Sequence, residues 1–251
     1  MRLKKTNYQR TAMDPKKVKL FIATPMFGGM CYHHYAIGLM DLGIAAKHFG
    51  IKTNIKVVSN DPFLINARNK LVHEFLKTDY THFLFIDADV GFTPDEAFSM
   101  IEQDVDVIAG TYPMKEINWK LVRQAALDGV EAEHLKSYST FHTFKPVDTG
   151  VQEIPLGEPY EVSHAATGFM LIKRHVFEQL ADKVPSYEYR SPTEHGEMVK
   201  MYFDTPIIDG RLLSEDVAFC NLLRRNNIKV YIAPWVSLPH AGTYTFRGRL
   251  I

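Results

Sequence analysis

Cysteine is almost absent from this chain. Cys31 and Cys220 are its only two, far apart and without the paired spacing of a metal finger, so neither a disulfide framework nor a zinc site is indicated. A reducing compartment is the expected setting. Long apolar runs are missing as well. Val18-Lys19-Leu20-Phe21-Ile22-Ala23 stops at Thr24-Pro25, too short for a signal-peptide core behind the basic Arg2, Lys4, Lys5 and Arg10. Nothing approaches the ~20 apolar residues of a membrane helix, and a soluble, cytoplasmic protein is expected. Nor does one sign of charge prevail: 29 basic residues balance 29 acidic ones, so no global field draws in a polyanion. Internal repeats and low-complexity tracts are absent. Gly28-Gly29 follows the first β-rich run without a G-x-G-x-x-G, and no acidic residue ends the second run, which excludes the dinucleotide fingerprint.

What remains is an ordinary globular composition, 46% hydrophobic and 23% charged, in 251 residues, enough for one α/β domain or two small ones. The first half alternates short β-rich runs with segments of helical period. Strands are expected at 18–23, 54–58, 82–86 and 106–109, and helices at 35–49 (closed by Gly50), at 64–76 and from Pro94 onward, with Thr93 as cap and Asp95-Glu96 at the positive dipole end. Right-handed crossovers wind this β-α-β-α-β-α-β succession into a twisted sheet. Beyond it the texture changes. Residues 112–160 read as a long irregular insertion with one short helix at 119–127, and such an insertion is functional or mobile. A strand at 169–172, a helix through Val176 and Leu180, a helix from Ser214-Glu215-Asp216 to Asn226-Asn227, and a last strand at 229–232 complete the reading. The expected organisation is a basic extension at 1–17 and one domain at 18–251, divided into a nucleotide-binding half (18–111) and an acceptor half with a tail (112–251).

Chemistry concentrates where strands end. Asp87-Ala88-Asp89 directly follows Phe83-Leu84-Phe85-Ile86, so two carboxylates stand at the carboxyl edge of a buried strand, where open α/β sheets bind ligands. Mg²⁺ or Mn²⁺ takes one or two carboxylates there and completes its shell with phosphate and water; the alternative is a solvated acidic loop. Glu215-Asp216 at a helix start is read equally as dipole compensation or as a general base. Arg68, between Asn66 and Asn69 at the start of the second helix, can fork onto a phosphate or a carboxylate. His240, in Leu238-Pro239-His240-Ala241-Gly242, is by itself no more than a lone histidine.

In this order, Thr24-Pro25, Asn66-Ala67-Arg68-Asn69, Asp87-Ala88-Asp89, Ala166-Thr167-Gly168, Ser214-Glu215-Asp216 and His240 resemble the GT-A nucleotide-sugar glycosyltransferases, in particular family-2-like enzymes. The resemblance runs from Val18 to about Gly242. It implies a Rossmann-like nucleotide half on a mixed central sheet, a Mn²⁺ or Mg²⁺ cofactor and a nucleoside-diphosphate sugar donor. It further implies Asp89 as metal ligand, with Asp87 touching the ribose or the metal and His240 completing the site. Thr24, Pro25, Asn66, Arg68 and Ala88 would lie along the nucleotide, Thr167-Gly168 beside the donor sugar, and Asp216 would be the base with Glu215 as alternative. No Gln-x-x-Arg-Trp motif follows the Glu-Asp pair, which argues against polymer synthesis.

The expected activity is inverting transfer of a sugar to an acceptor hydroxyl of a glycan, a small molecule or a modified nucleic-acid base. Trp119, Lys120, His142 and Lys145 are candidates for shaping the acceptor site, and Tyr244, Phe246, Arg247 and Arg249 for a lid over the diphosphate. Two rival readings stand beside it: a haloacid dehalogenase-like phosphatase using Asp87 and Asp89, and a non-catalytic nucleotide-sugar binding module.

Overall fold

Strand β1 (Lys19–Met26) pairs in parallel on both sides, with β2 (Lys52–Ser59) and β3 (His82–Ile86), and two successive β-α units lay this trio down. The structure, a computed structural model, describes residues 17–148, 150, 153–191 and 194–245. The first crossover helix, α1 (His33–Phe49), ends at Gly50, whose φ of 73° lies in the left-handed region that glycine enters without a Cβ penalty. Helix α2 (Leu64–Leu76) forms the second crossover. Helix α3 (Pro94–Ile101) starts as its sequence demands: proline occupies the first turn and Glu96 Oε2 accepts from the Thr93 backbone N–H at 2.7 Å.

An unbroken run of parallel crossovers would set β4 (Val107–Thr111) beside β3. Instead β7 (Phe169–Lys173) enters between them, antiparallel to both, with Ile172 opposite Phe83 on one side and Val107 on the other. Burial explains the order. Strands β3, β4 and β7 are apolar on both faces and must be covered on both, whereas β2 leaves alternate residues exposed and takes the edge. The sheet continues through β12 (Val230–Ser237), β6 (Tyr160–Ala165) and β5 (Phe144–Pro146), giving eight strands in the order β2-β1-β3-β7-β4-β12-β6-β5. The chain is thus an α/β domain on a mixed central sheet, compatible with a GT-A-like fold.

Side-chain alternation on β3 divides the core. Phe83 and Phe85 face α2, α5 (Arg174–Leu180) and α6 (Glu215–Arg225), while Leu84 and Ile86 face α1 and α3. Phe83 has ring contacts with Phe21, Phe75, Phe85 and Phe177 at centroid distances of 4.5–5.8 Å. Each such fully buried phenylalanine stabilises the fold by about 1.5–3 kcal/mol.

Several boundaries differ from the sequence reading. Strand β12 runs on through Pro234, which a register shift against β4 between Ala233 and Ser237 accommodates. The span 112–160 is less irregular than expected: besides α4 (Trp119–Leu127), capped by Asn118 Oδ1, it contains a 3-10 stretch at Ala132–Tyr138 and strand β5. The hairpins β8–β9 (Ser186–Ser191, Glu194–Lys200) and β10–β11 (Ile207–Ile208, Arg211–Leu212) were not expected at all. Among the described residues no helix is long and apolar enough to cross a membrane.

Candidate functional site

Asp87 keeps the parity of Phe83 and Phe85, so it leaves β3 on the side covered by α2. There it accepts from Arg68 Nη2 at 3.1 Å, while Arg68 Nε lies 3.4 Å from Glu215 Oε1 on α6. The guanidinium sits over the Phe85 ring and the side chain is only 2% exposed. Burial works against its charge, but Asp87 and Glu215 prevail and hold Arg68 above its ordinary pKa. Arg68 Nη1 and Asp87 Oδ1 are buried without a hydrogen-bond partner among the described residues. Buried polar atoms rarely stay unpaired, so a donor and an acceptor here are open to a ligand.

The β6–β7 turn closes on the same carboxylate. Asp87 N–H donates to Gly168 O at 2.8 Å, and Gly168 N–H donates to Tyr112 Oη at 2.9 Å. A Cβ on Gly168 would lie 2.8 Å from Asp87 Oδ2 and closer still to Tyr112 Oη, so only glycine lets the three groups meet. Thr167 is buried beside it, with no hydrogen-bond partner for Oγ1 among the described residues.

Asp89 belongs to a second group. An isolated bridge joins Val90 to His240, and Ala241 N–H donates to Asp89 O at 2.8 Å, which brings the two side chains together. His240 Nε2 stands 3.5 Å from Asp89 Oδ1, and Lys115 forms an ion pair with Asp89 Oδ2. Partial burial would raise the Asp89 carboxyl, but His240 and Lys115 outweigh it and bring the pKa down to about 2. The Pro113 carbonyl, 2.9 Å from His240 Nδ1, can only accept, so Nδ1 carries the proton. Nε2 is then the ring atom that faces the Asp89 carboxylate, and with its proton released it could join Asp89 Oδ1 as a second ligand to a cation. A backbone carbonyl fixing the tautomer is the usual support of a metal-binding histidine. Asp89 and His240 therefore fit a divalent ion that takes its other ligands from phosphate and water.

Asp87 keeps to Arg68 instead. Asp87, Asp89 and His240 do not converge as a three-ligand set; the group of that kind among the described residues is His73, Glu74 and Glu197, where Lys70 and Lys77 hold Glu197 at 2.6 and 2.8 Å and supply the compensating charge. In the first turn of α6 the two acids diverge. Glu215 faces Arg68, whereas Asp216 Oδ1 accepts from the Ser214 hydroxyl and from Val217 N–H at 2.7 Å. Ser214 thus serves the Asp216 carboxylate and caps no backbone N–H of the helix.

Between the β1–α1 loop and the Asp87-Ala88-Asp89 turn lies a cavity of about 500 Å³, lined by Pro25, Phe27, Met30, Cys31, Tyr32, Leu64 and the three turn residues. Tyr32 N–H donates to Ala88 O at 2.9 Å and ties loop to turn. Phe27 and Met30 are exposed at the rim. Of the residues expected along the nucleotide, Pro25 and Ala88 line the wall. Thr24 does not present its side chain there, because Oγ1 shares a 2.7 Å hydrogen bond with Tyr35 Oη inside the core. Asn66 is half-buried on the first turn of α2, outside the cavity wall. Trp119 is exposed at the start of α4 and His142 is exposed beside Phe144. Phe246, Arg247 and Arg249 lie outside the described residues.

Lys115, Tyr112 and the rim of the β1–α1 loop escaped the sequence reading. Lys115 follows β4 by four residues at the same sheet edge as Asp87, a positional signal that was present. Tyr112 gave no signal, since a tyrosine behind an apolar strand reads as core.

No protein-family model matches the chain, and no curated protein matches it. Among solved structures it is similar to A197 from STIV, at 17% identity and a TM-score of 0.48, covering 93% of this chain and 99% of that one. It is also similar to GalNAc-T7 with UDP, GalNAc and Mn2+, at 11% identity and a TM-score of 0.43, covering 89% of this chain and 44% of that one.

Proposed function

We propose that the chain is a metal-dependent glycosyltransferase that moves a sugar from a nucleoside-diphosphate sugar to an acceptor hydroxyl, residues 18–111 holding the nucleotide and 112–251 the acceptor. One observation carries this reading: Asp87 and Asp89 both line a cavity of about 500 Å³ at one sheet edge, the first paired with a buried arginine that keeps an open donor and the second standing beside the imidazole of His240. A diphosphate needs fixed positive charge on two sides, and a nucleoside needs an apolar-walled slot beside it.

Asp89 and His240 would hold Mn²⁺ or Mg²⁺, which when bound supplies Lewis-acid neutralisation of the departing diphosphate. Arg68 Nη1 donates to a phosphate oxygen, its orientation locked by Asp87 and Glu215. Gly168 lets the donor sugar approach the backbone. Asp216 takes the proton from the acceptor hydroxyl as that oxygen bonds to the anomeric carbon, while the bond from that carbon to the diphosphate oxygen breaks and the electron pair leaves with the diphosphate. Ser214 and Val217 N–H hold the Asp216 carboxylate in one rotamer, which suits a positioned base.

Asp216→Asn is expected to keep donor binding and lower turnover by about 10²–10⁴-fold. The product's anomeric configuration, read by nuclear magnetic resonance, should be inverted; retention would overturn the assignment of Asp216 as base.

A further inference from the structure

Lys115 is placed where a second cation would be in the way. Its backbone lies in the link between β4 and α4, pinned next door by Met114 N–H donating to Phe141 O at 2.9 Å. Its stem runs past Gly242, where an added Cβ would come within 3.0 Å of the lysine Cδ. The ammonium therefore reaches the same carboxylate as the imidazole, at its other oxygen: His240 Nε2 faces Oδ1, and Lys115 pairs with Oδ2. Resting on the glycosyltransferase reading of this site, we propose that Lys115 is the resident counter-ion of Asp89, which a divalent cation must displace to reach the carboxylate.

An ion held by Asp89 and His240 would stand within a few Å of the ammonium, where two positive charges repel and the ion pair must open. Lysine can yield, because its charge sits on a flexible stem with freely rotating donors, and at 38% side-chain exposure Lys115 is not locked in. A bound diphosphate offers the released ammonium a new anionic partner. Metal and nucleoside diphosphate therefore favour each other's binding through Lys115, and the coupling is reciprocal. Before either arrives, the ion pair keeps Asp89 from standing as a bare charge at the cavity mouth.

The test is Mn²⁺ binding, followed by the electron paramagnetic resonance of the free ion, in the full chain and in Lys115→Met and Lys115→Arg. Methionine keeps the stem beside Gly242 and removes the charge; arginine keeps the charge. Without nucleotide, Lys115→Met should bind Mn²⁺ about two- to fivefold more tightly than the unaltered protein, the range expected for one partly exposed ion pair, and Lys115→Arg should not. Uridine or guanosine diphosphate, tried separately, should tighten Mn²⁺ binding more in the unaltered protein than in Lys115→Met. Equal or weaker Mn²⁺ binding by Lys115→Met overturns the Lys115 inference and leaves the metal-dependent transferase reading intact. No Mn²⁺ binding by any of the three proteins, with or without nucleotide, overturns both.

Discussion

Arg68 carries more of the site than its place on a helix start implies. It is clamped between Asp87 and Glu215 in nearly complete burial, so Arg68→Ala would leave two carboxylates facing each other; breaking a buried pair in this way costs about 3–5 kcal/mol. Gly168→Ala acts on the same carboxylate by contact. Its Cβ would press on Tyr112 Oη and Asp87 Oδ2, and the shift needed to relieve this should cost about 1–3 kcal/mol of stability, read by urea unfolding. Unchanged stability would mean that the turn yields freely. His82 gives a pH signature away from the site. Burial, aided by Lys173, lowers its pKa from the ordinary 6.5 to about 4, so below pH 6.5 the unfolded chain takes up a proton that the folded one refuses. Stability should then fall by up to about 3 kcal/mol between pH 6.5 and pH 4, and His82→Gln should flatten that slope. Equal slopes in the two proteins would contradict the assignment. Asp87 and Asp89 were legible as candidate residues because strand ends bind ligands, and His240 only through the family resemblance. Their division into an Arg68 group and a His240 group was not, because side-chain direction past the end of a strand depends on turns the sequence does not specify.

At the scale of elements, periodicity located the parallel strands and the crossover helices within a few residues, since alternation and caps are local properties. The slot of β7 between β3 and β4 was not legible, because pairing is decided by which apolar strands most need cover on both faces. The joining of α2 to the chain after β9 also escaped the sequence. Asn69 does this: Nδ2 donates to Phe203 O and Oδ1 accepts from Phe203 N–H, both at 2.9 Å. That clamp sets Phe203 against Phe85 and Phe219, beneath Arg68 and α6. Asn69→Ala strips the partners from the backbone N–H and carbonyl of buried Phe203, each worth about 1–3 kcal/mol when left unsatisfied, and should lower the thermal midpoint sharply. Asn69→Asp restores one of the two bonds and should recover only part of the loss. A midpoint unchanged in Asn69→Ala would show that the clamp is incidental.

The whole molecule sets its helices in layers on both faces of the sheet, and at its carboxyl edge the β1–α1 loop, α2 and the turn after β3 enclose one cavity, with α6 and the link after β12 reaching the carboxylates of that turn. No single segment contains the candidate site, which is why short motifs point to some of its residues and not to its shape. The central claim is that this cavity takes a nucleoside diphosphate with the help of a divalent ion. Thermal midpoints measured against a panel of nucleoside diphosphates and nucleotide sugars, with and without Mn²⁺, test it most directly. A ligand at about 100 times its dissociation constant stabilises by roughly 2.7 kcal/mol. The account predicts such a stabilisation for at least one nucleotide, dependent on Mn²⁺ and lost in Asp89→Ala; no response to any nucleotide, or one indifferent to Mn²⁺ and to Asp89→Ala, would contradict it.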